Sequence, residues 1–206
     1  MTTTSNAVLG GVRMNSTSFS DPLVTKLATF VRSVGIEVQA CPIDWKTQFP
    51  GLEIRMGAVL IDEKELIHPG NILHEAGHIA VHDPARRQEP NFKPKRGEEL
   101  SALAWSYAAV VYLGLGSELV FYPGSYHGWS TSLVENFAEG RYMGVPLLQR
   151  YGMTLDQRSA AERGLKPYPH MLRWLRWTSD SVPLNQIAIH SNSTLTTFQT
   201  GSAPHE

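Results

Sequence analysis

The chain has 206 residues, of which 42% are hydrophobic and 18% charged, with a formal net charge of −1. That balance fits one soluble globular domain with ample apolar material for a core. It excludes a strong field favouring nucleic acid or an acidic membrane, and the basic groups at Arg86-Arg87 and residues 93–96 read as a solvated loop.

Residues 1–20 are rich in Thr, Ser, Asn and Gly. They are expected to be mobile, with a short strand at residues 7–9. No basic region followed by an apolar run marks a signal peptide. No stretch is long and apolar enough to span a bilayer. Asp21-Pro22 starts a helix, with Asp as cap and Pro in the first turn. Leu23, Leu27, Phe30, Val31 and Val34 form its apolar stripe, and Gly35 stops it. Residues 36–43 alternate and predict a strand. Cys41 lies in that alternation and reads as a small buried hydrophobe rather than a nucleophile. As the single cysteine it allows no internal disulfide, so a reducing, cytoplasmic setting is expected. Residues 52–61 predict a second strand, with Gly57 as a bulge or close approach.

Residues 71–82 read Asn-Ile-Leu-His-Glu-Ala-Gly-His-Ile-Ala-Val-His and contain H-E-x-x-H. On a helix, residues four apart share a face, so His74 and His78 can aim two imidazoles at one ion. Glu75, beside the first of them, is placed to act on a metal-bound water as general base. Ile72, Leu73, Ala76, Ile79 and Ala80 supply the apolar positions of a buried helix. Gly77 costs roughly 1 kcal/mol there relative to Ala, which points to a close approach of another backbone. Pro69-Gly70 breaks the chain before this helix, Asn71 is its expected cap, and Asp83-Pro84 ends it. His82 follows one turn later, about 12 Å along the axis from His74, too far for all three histidines to share an ion. It reads as a helix-terminal or supporting residue.

Residues 83–97 are a long polar connection with three prolines. Residues 98–113 predict a second central helix, apolar nearly all round. Residues 118–122 are a short strand or helix, and 123–130 a glycine- and aromatic-rich loop. Thr131 or Ser132 is expected to cap a helix to about residue 141, with Ser132 and Glu135 as a capping box. Residues 170–177 predict a last helix with an apolar side at Leu172 and Leu175 and a basic side at Arg173 and Arg176. Trp174 and Trp177 read as core or interface residues. His68, His190 and His205 read as surface residues. Residues 179–206 are expected to be a disordered tail, which leaves 21–178 as one domain.

A catalytic zinc site needs three protein ligands and an open position. The pattern with its third histidine in the same stretch, HExxHxxGxxH, is excluded, because Val81 and Pro84 stand at its Gly and His positions. A carboxylate from the next helix remains, and Glu98 and Glu99 both open that helix. Such a pair also serves as dipole decoration worth about 0.3–1 kcal/mol, and the residues alone leave the choice open.

These segments resemble the ImmA/IrrE-type metallopeptidases, zincin-like proteins of bacteria and phage. Their HExxH is usually followed by another His four residues on, as at His82. Their second motif, E-x-x-A-(N/D)-x-F-A, is similar to residues 99–106, which match at Glu99, Ala102 and the aromatic Trp105. They depart at Leu103 and Ser106, and the Asn or Asp missing at 103 removes one expected support of the metal ligands. The resemblance spans residues 36–113. It implies an α+β, zincin-like fold with a small sheet packed on a helical body and the HExxH helix central. It also implies a Zn2+ on His74, His78 and Glu99, and hydrolysis of a peptide bond with Glu75 as base. Tyr126 and His127 are the first candidates to stabilise the oxyanion, with Tyr122 and His170 behind them. A protein or peptide substrate is expected, with no direct nucleic-acid or membrane partner; the oligomeric state is left open. Two other readings stay in view: a zinc hydrolase of small amides, and a regulatory, toxin- or antitoxin-like module that retains zinc.

Overall fold

The computed structural model describes residues 8–9, 12–13, 18–90, 93–95, 97–123, 125 and 130–177. Among them the architecture is α+β, with six α-helices, a three-stranded mixed sheet and a two-residue hairpin of β1 (Val8–Leu9) and β2 (Val12–Arg13). The expected tail at 179–206 and most of segment 1–20 lie outside the described residues.

Helix α1 spans Pro22–Ser33. The Asp21 carboxylate accepts from the amides of Leu23 at 2.6 Å and Val24 at 3.1 Å, satisfying two N–H groups that the helix itself leaves without partners. Val24, Leu27, Ala28 and Val31 form its buried face, and Gly35, at φ +92°, turns the chain into the sheet. Strands β3 (Glu37–Ala40), β4 (Leu52–Arg55) and β5 (Ala58–Ile61) follow. Central β5 runs parallel to β3, with Val38 opposite Val59, and antiparallel to β4, with Ile54 opposite Val59.

The single strand expected at 52–61 is therefore a hairpin. Met56 at φ 51° and Gly57 at φ 75° both take left-handed conformations, as the tight turn between twisted antiparallel strands requires. Leu52 and Ile54 face the helical core. On the other face a smaller cluster of Cys41, Ile43, Ala58 and Leu60 lies under Trp45. Cys41 is thus the buried hydrophobe the alternation predicts, and burial raises its thiol pKa.

Helix α2 (Asn71–Val81) lies in the middle of the molecule, buried along its length with only Glu75 half-buried. It packs on α3 (Glu98–Tyr112). Gly77 marks the crossing: a Cβ there would sit 2.7 Å from the carbonyl oxygen of Ala102, so only glycine lets the backbones meet. Asn71 is not the cap. The helix starts at Asn71 itself, after Gly70, and the Asn71 side chain donates to the Tyr122 hydroxyl at 3.2 Å. A Cβ at Gly70 would collide with the Leu119 carbonyl, which keeps a larger capping residue out of that position.

Helices α4 (Ser130–Ala138), α5 (Val145–Arg150) and α6 (Gln157–Glu162) complete the body. α4 starts at Ser130, so Thr131 and Ser132 lie inside it and the expected capping box is not its start. Residues 118–122 contribute to a 3-10 turn at Ser117–Leu119. α6 is a helix the pattern did not announce, capped by Asp156, which accepts from the Ser159 amide at 2.7 Å.

No helix forms at 170–177. That segment is an irregular, bent strap whose backbone bonds go elsewhere: Leu172 N to Met153 O at 2.8 Å and Arg176 N to Ala80 O at 2.9 Å. Its apolar periodicity reflects docking rather than a helical stripe, since Trp174 and Leu175 pack against the core. The apolar and basic sides expected of a helix there do not exist, and Trp177 is exposed. No helix of the described residues is long and apolar enough to cross a membrane.

Candidate metal centre

Helix α2 delivers the two histidines as its spacing requires. His74 and His78 are buried, and their Nε2 atoms lie 3.1 Å apart. Glu99, in the first turn of α3, reaches between them, with Oε1 3.2 Å from His74 Nε2 and Oε2 3.2 Å from His78 Nε2. A tetrahedral zinc with bonds of about 2.0–2.1 Å has donors about 3.3 Å apart. The two imidazole nitrogens stand near that separation, and each faces a different oxygen of the Glu99 carboxylate at a similar distance. Two imidazoles and a carboxylate are groups that can hold a cation when the ring nitrogens are unprotonated. The two imidazoles, His74 first, hold the Glu99 carboxyl well below the usual carboxylate range.

Glu75 also lies close: His74, Glu75 and His78 each offer an atom within 4.8 Å of the others. Glu99 is the carboxylate that touches both imidazoles, through one oxygen each. Glu75 is set differently. Burial pushes it up to about 7, the nearby Glu99 and Glu53 carboxylates add to the rise, and His78 opposes it. A carboxylate tuned near neutrality can accept a proton and give it back.

A cleft of about 160 Å³ opens over this cluster, lined by Phe49, Leu52, Glu53, Ile54, Pro94 and the site residues Glu75, His78 and Glu99. β4, an edge strand of the sheet among the described residues, forms one wall. Phe49 meets the His74 ring edge-on, with centroids 5.9 Å apart. The donation of Trp45 Nε1 to Glu53 is long, at 3.4 Å.

No protein-family model, curated protein or solved structure matches the chain.

Of the residues singled out from the sequence, His74, Glu75, His78 and Glu99 come together. Glu98 does not join them: it turns inward, with Oε2 2.9 Å from His82 Nδ1. Tyr126 and His127 lie outside the described residues. The Tyr122 hydroxyl accepts from Asn71 at the start of α2, and the Tyr122 ring stacks on His68 with centroids 3.8 Å apart. His170 is exposed and lines no part of the cleft. Leu103, where an Asn or Asp was expected, is buried in the apolar core. The sequence reading missed the cleft wall at Phe49, Leu52 and Ile54, because their apolar character announces only core. It also missed the pairing of His82 with Glu98, which no helical spacing signals.

Proposed function

We propose that the chain is a zinc-dependent metallopeptidase of zincin-like type, with His74, His78 and Glu99 as metal ligands and Glu75 as general base. One observation carries the reading: two buried imidazole nitrogens stand 3.1 Å apart, close to the donor spacing of a tetrahedral zinc, and the two oxygens of the Glu99 carboxylate lie 3.2 Å from one each. Zinc would supply Lewis acidity towards the scissile carbonyl and lower the pKa of a water towards ~7. Glu75 takes a proton at its carboxylate and returns it to the leaving amine. Burial raises its pKa above the ordinary carboxylate value, the direction that favours a group that must carry a proton. Phe49, Leu52 and Ile54 give the substrate apolar walls. β4 supports a peptide over a small amide, since an edge strand offers backbone N–H and C=O groups to an extended chain. The resemblance to ImmA/IrrE-type enzymes points the same way.

The test is metal content by plasma mass spectrometry on untagged protein, followed by hydrolysis of a peptide library read by mass spectrometry. About one zinc per chain is expected in the wild type and in Glu75→Gln, and loss of zinc in Glu99→Ala. Glu75→Gln should lower peptide turnover by about 10²–10⁴-fold with zinc retained. A wild type that takes up no zinc when zinc is added back would end the reading. Zinc equally retained by Glu99→Ala would remove Glu99 from the ligand set.

A further inference from the structure

Glu98 and Glu99 leave the first turn of α3 in opposite directions. The Glu99 side chain is 51% exposed, in the cleft. Glu98 runs into the protein and is 1% exposed, as is His82, which it meets. Glu98 Oε2 lies 2.9 Å from His82 Nδ1 and accepts the Lys95 amide at 2.8 Å. Its Oε1 faces the Arg176 guanidinium at 4.0 Å. A carboxylate so deeply buried persists only with such partners.

The places these residues occupy matter more than the contact itself. His82 terminates α2, one turn beyond His78. Glu98 immediately precedes Glu99. One contact therefore ties the helix that carries two donors to the turn that carries the third. It also fastens both ends of the connection at 83–97, from which Pro94 faces the cleft. Gly97 at the cap of α3 offers no side-chain hydrogen bond, and besides Glu98 the turn is held by the Glu98 amide donating to the Lys95 carbonyl at 2.8 Å and the Ser101 hydroxyl donating to the Gly97 carbonyl at 3.1 Å. An uncapped first turn frays. The bond from the Lys95 amide to the Glu98 carboxylate ties that turn to the chain before it. The far end of α2 is rigid by contrast: the Arg87 guanidinium donates to the carbonyls of Ile79 at 3.0 Å and Ala80 at 3.1 Å. His82 thus hangs from a fixed point, and Glu98 is the part it steadies.

We propose that His82 and Glu98 are positioning residues for the metal centre: their buried contact holds the first turn of α3 so that Glu99 meets His74 and His78 at bonding distance. The proposal rests on the zinc reading above. It assigns neither residue to the ion, and it gives His82 a purpose that its spacing from His74 denied it as a ligand.

The experiment uses metal-stripped full-length chain. Zinc affinity is measured by competition with a chromophoric chelator, ligand geometry by the visible absorption of the Co2+ form, and folding by thermal melts. Glu98→Gln and His82→Gln should each weaken zinc binding by about 10–100-fold and alter the intensity of the Co2+ bands at saturation. Leu27→Ala, in α1 and remote from the cleft, should lower the melting temperature but leave both metal readouts at wild-type values. If either single variant fails to fold, His82→Gln/Glu98→Gln carries the same comparison, because its two amides span the gap without a buried charge. Variants that melt lower yet keep wild-type zinc affinity and the wild-type Co2+ spectrum would overturn the proposal and leave the pair a purely structural contact. A wild type silent to zinc would bring down the metal reading itself, and this proposal with it.

Discussion

Glu75, Glu99 and Glu63 carry the same carboxyl group, and their surroundings give it three tasks. Burial lifts Glu75 to about 7, in the direction that the proton-moving part proposed for it needs. Hydrogen bonds from two imidazoles depress Glu99 and keep it an anion able to hold a cation. Carboxylates driven apart in this way separate an acid–base role from a fixed-charge role. Glu63 is also depressed, but for structure. Its Oε2 accepts from the Ser20 amide at 3.0 Å and the Ser20 hydroxyl at 2.8 Å, and its Oε1 accepts from the Asp21 amide at 2.6 Å. These bonds favour the charged form and secure the entry to α1. The folded pKa lies below the unfolded one, so this stabilisation is fully present above the unfolded value of about 4.3. It is lost as pH falls through the folded value. Glu63→Gln should therefore melt below the wild type at pH 7, and the gap should be smaller at pH 3. Melts at the two pH values decide it. A gap of equal size at both would mean that the charge contributes nothing and only shape was lost.

The contact of α2 with α3 is the element on which the site depends, and Gly77 sets its spacing. A methyl group there meets the Ala102 carbonyl oxygen at 2.7 Å and the Ala102 Cα at 3.1 Å, both backbone atoms that cannot swing aside. Gly77→Ala gains roughly 1 kcal/mol in helix propensity. The overpacking it forces costs about 1–3 kcal/mol. Net destabilisation is expected, read as a lower urea midpoint with an unchanged slope, together with weaker zinc binding as the donors on the two helices part. A higher midpoint would show that the helices have room to give. The same contact explains what the sequence could disclose. His74, Glu75 and His78 were legible because helical periodicity alone converts their spacing into one face, and Gly77 because its cost demanded a neighbour. Asp21 was legible because capping is local. The turn at Met56-Gly57 was not, since methionine is no turn signal and the apolar run continues across it. The strap at 170–177 was misread for a related reason. Its Trp174 and Leu175 dock onto the core, and its backbone bonds go to Met153 and Ala80, partners set by the tertiary fold. Glu98 and Glu99 could not be told apart by residue type, because the direction each takes is set by His82 and the strap.

At the scale of the molecule, that strap closes the body around the site. It runs beneath the end of α2 and across α3, so the two helices that supply the donors are held by one chain segment. The Tyr168 hydroxyl donates to the Ala104 carbonyl at 2.8 Å, the Trp105 indole donates to the Trp174 carbonyl at 2.9 Å, and the Arg176 amide donates to the Ala80 carbonyl at 2.9 Å. The Arg87 guanidinium donates to the Arg176 carbonyl as well. Trp174 adds edge contacts to Phe30 and Trp105, with centroids 5.0 and 5.3 Å apart. Each buried polar group left without its partner costs about 1–3 kcal/mol. Loss of several at once rivals the whole stability of a domain, about 5–15 kcal/mol. A chain ending at Pro167 is therefore expected to lose its cooperative melt and its near-ultraviolet circular dichroism, since Trp105 would no longer be fixed. Trp174→Ala in the full-length chain isolates one part of that loss, with an expected cost of about 2–3 kcal/mol for a side chain that is only partly buried. Should the shortened chain melt cooperatively within a few degrees of the full one, the strap would be laid on a body already folded. The two donor-bearing helices would then depend on the contact at Gly77 and on the His82–Glu98 pair alone.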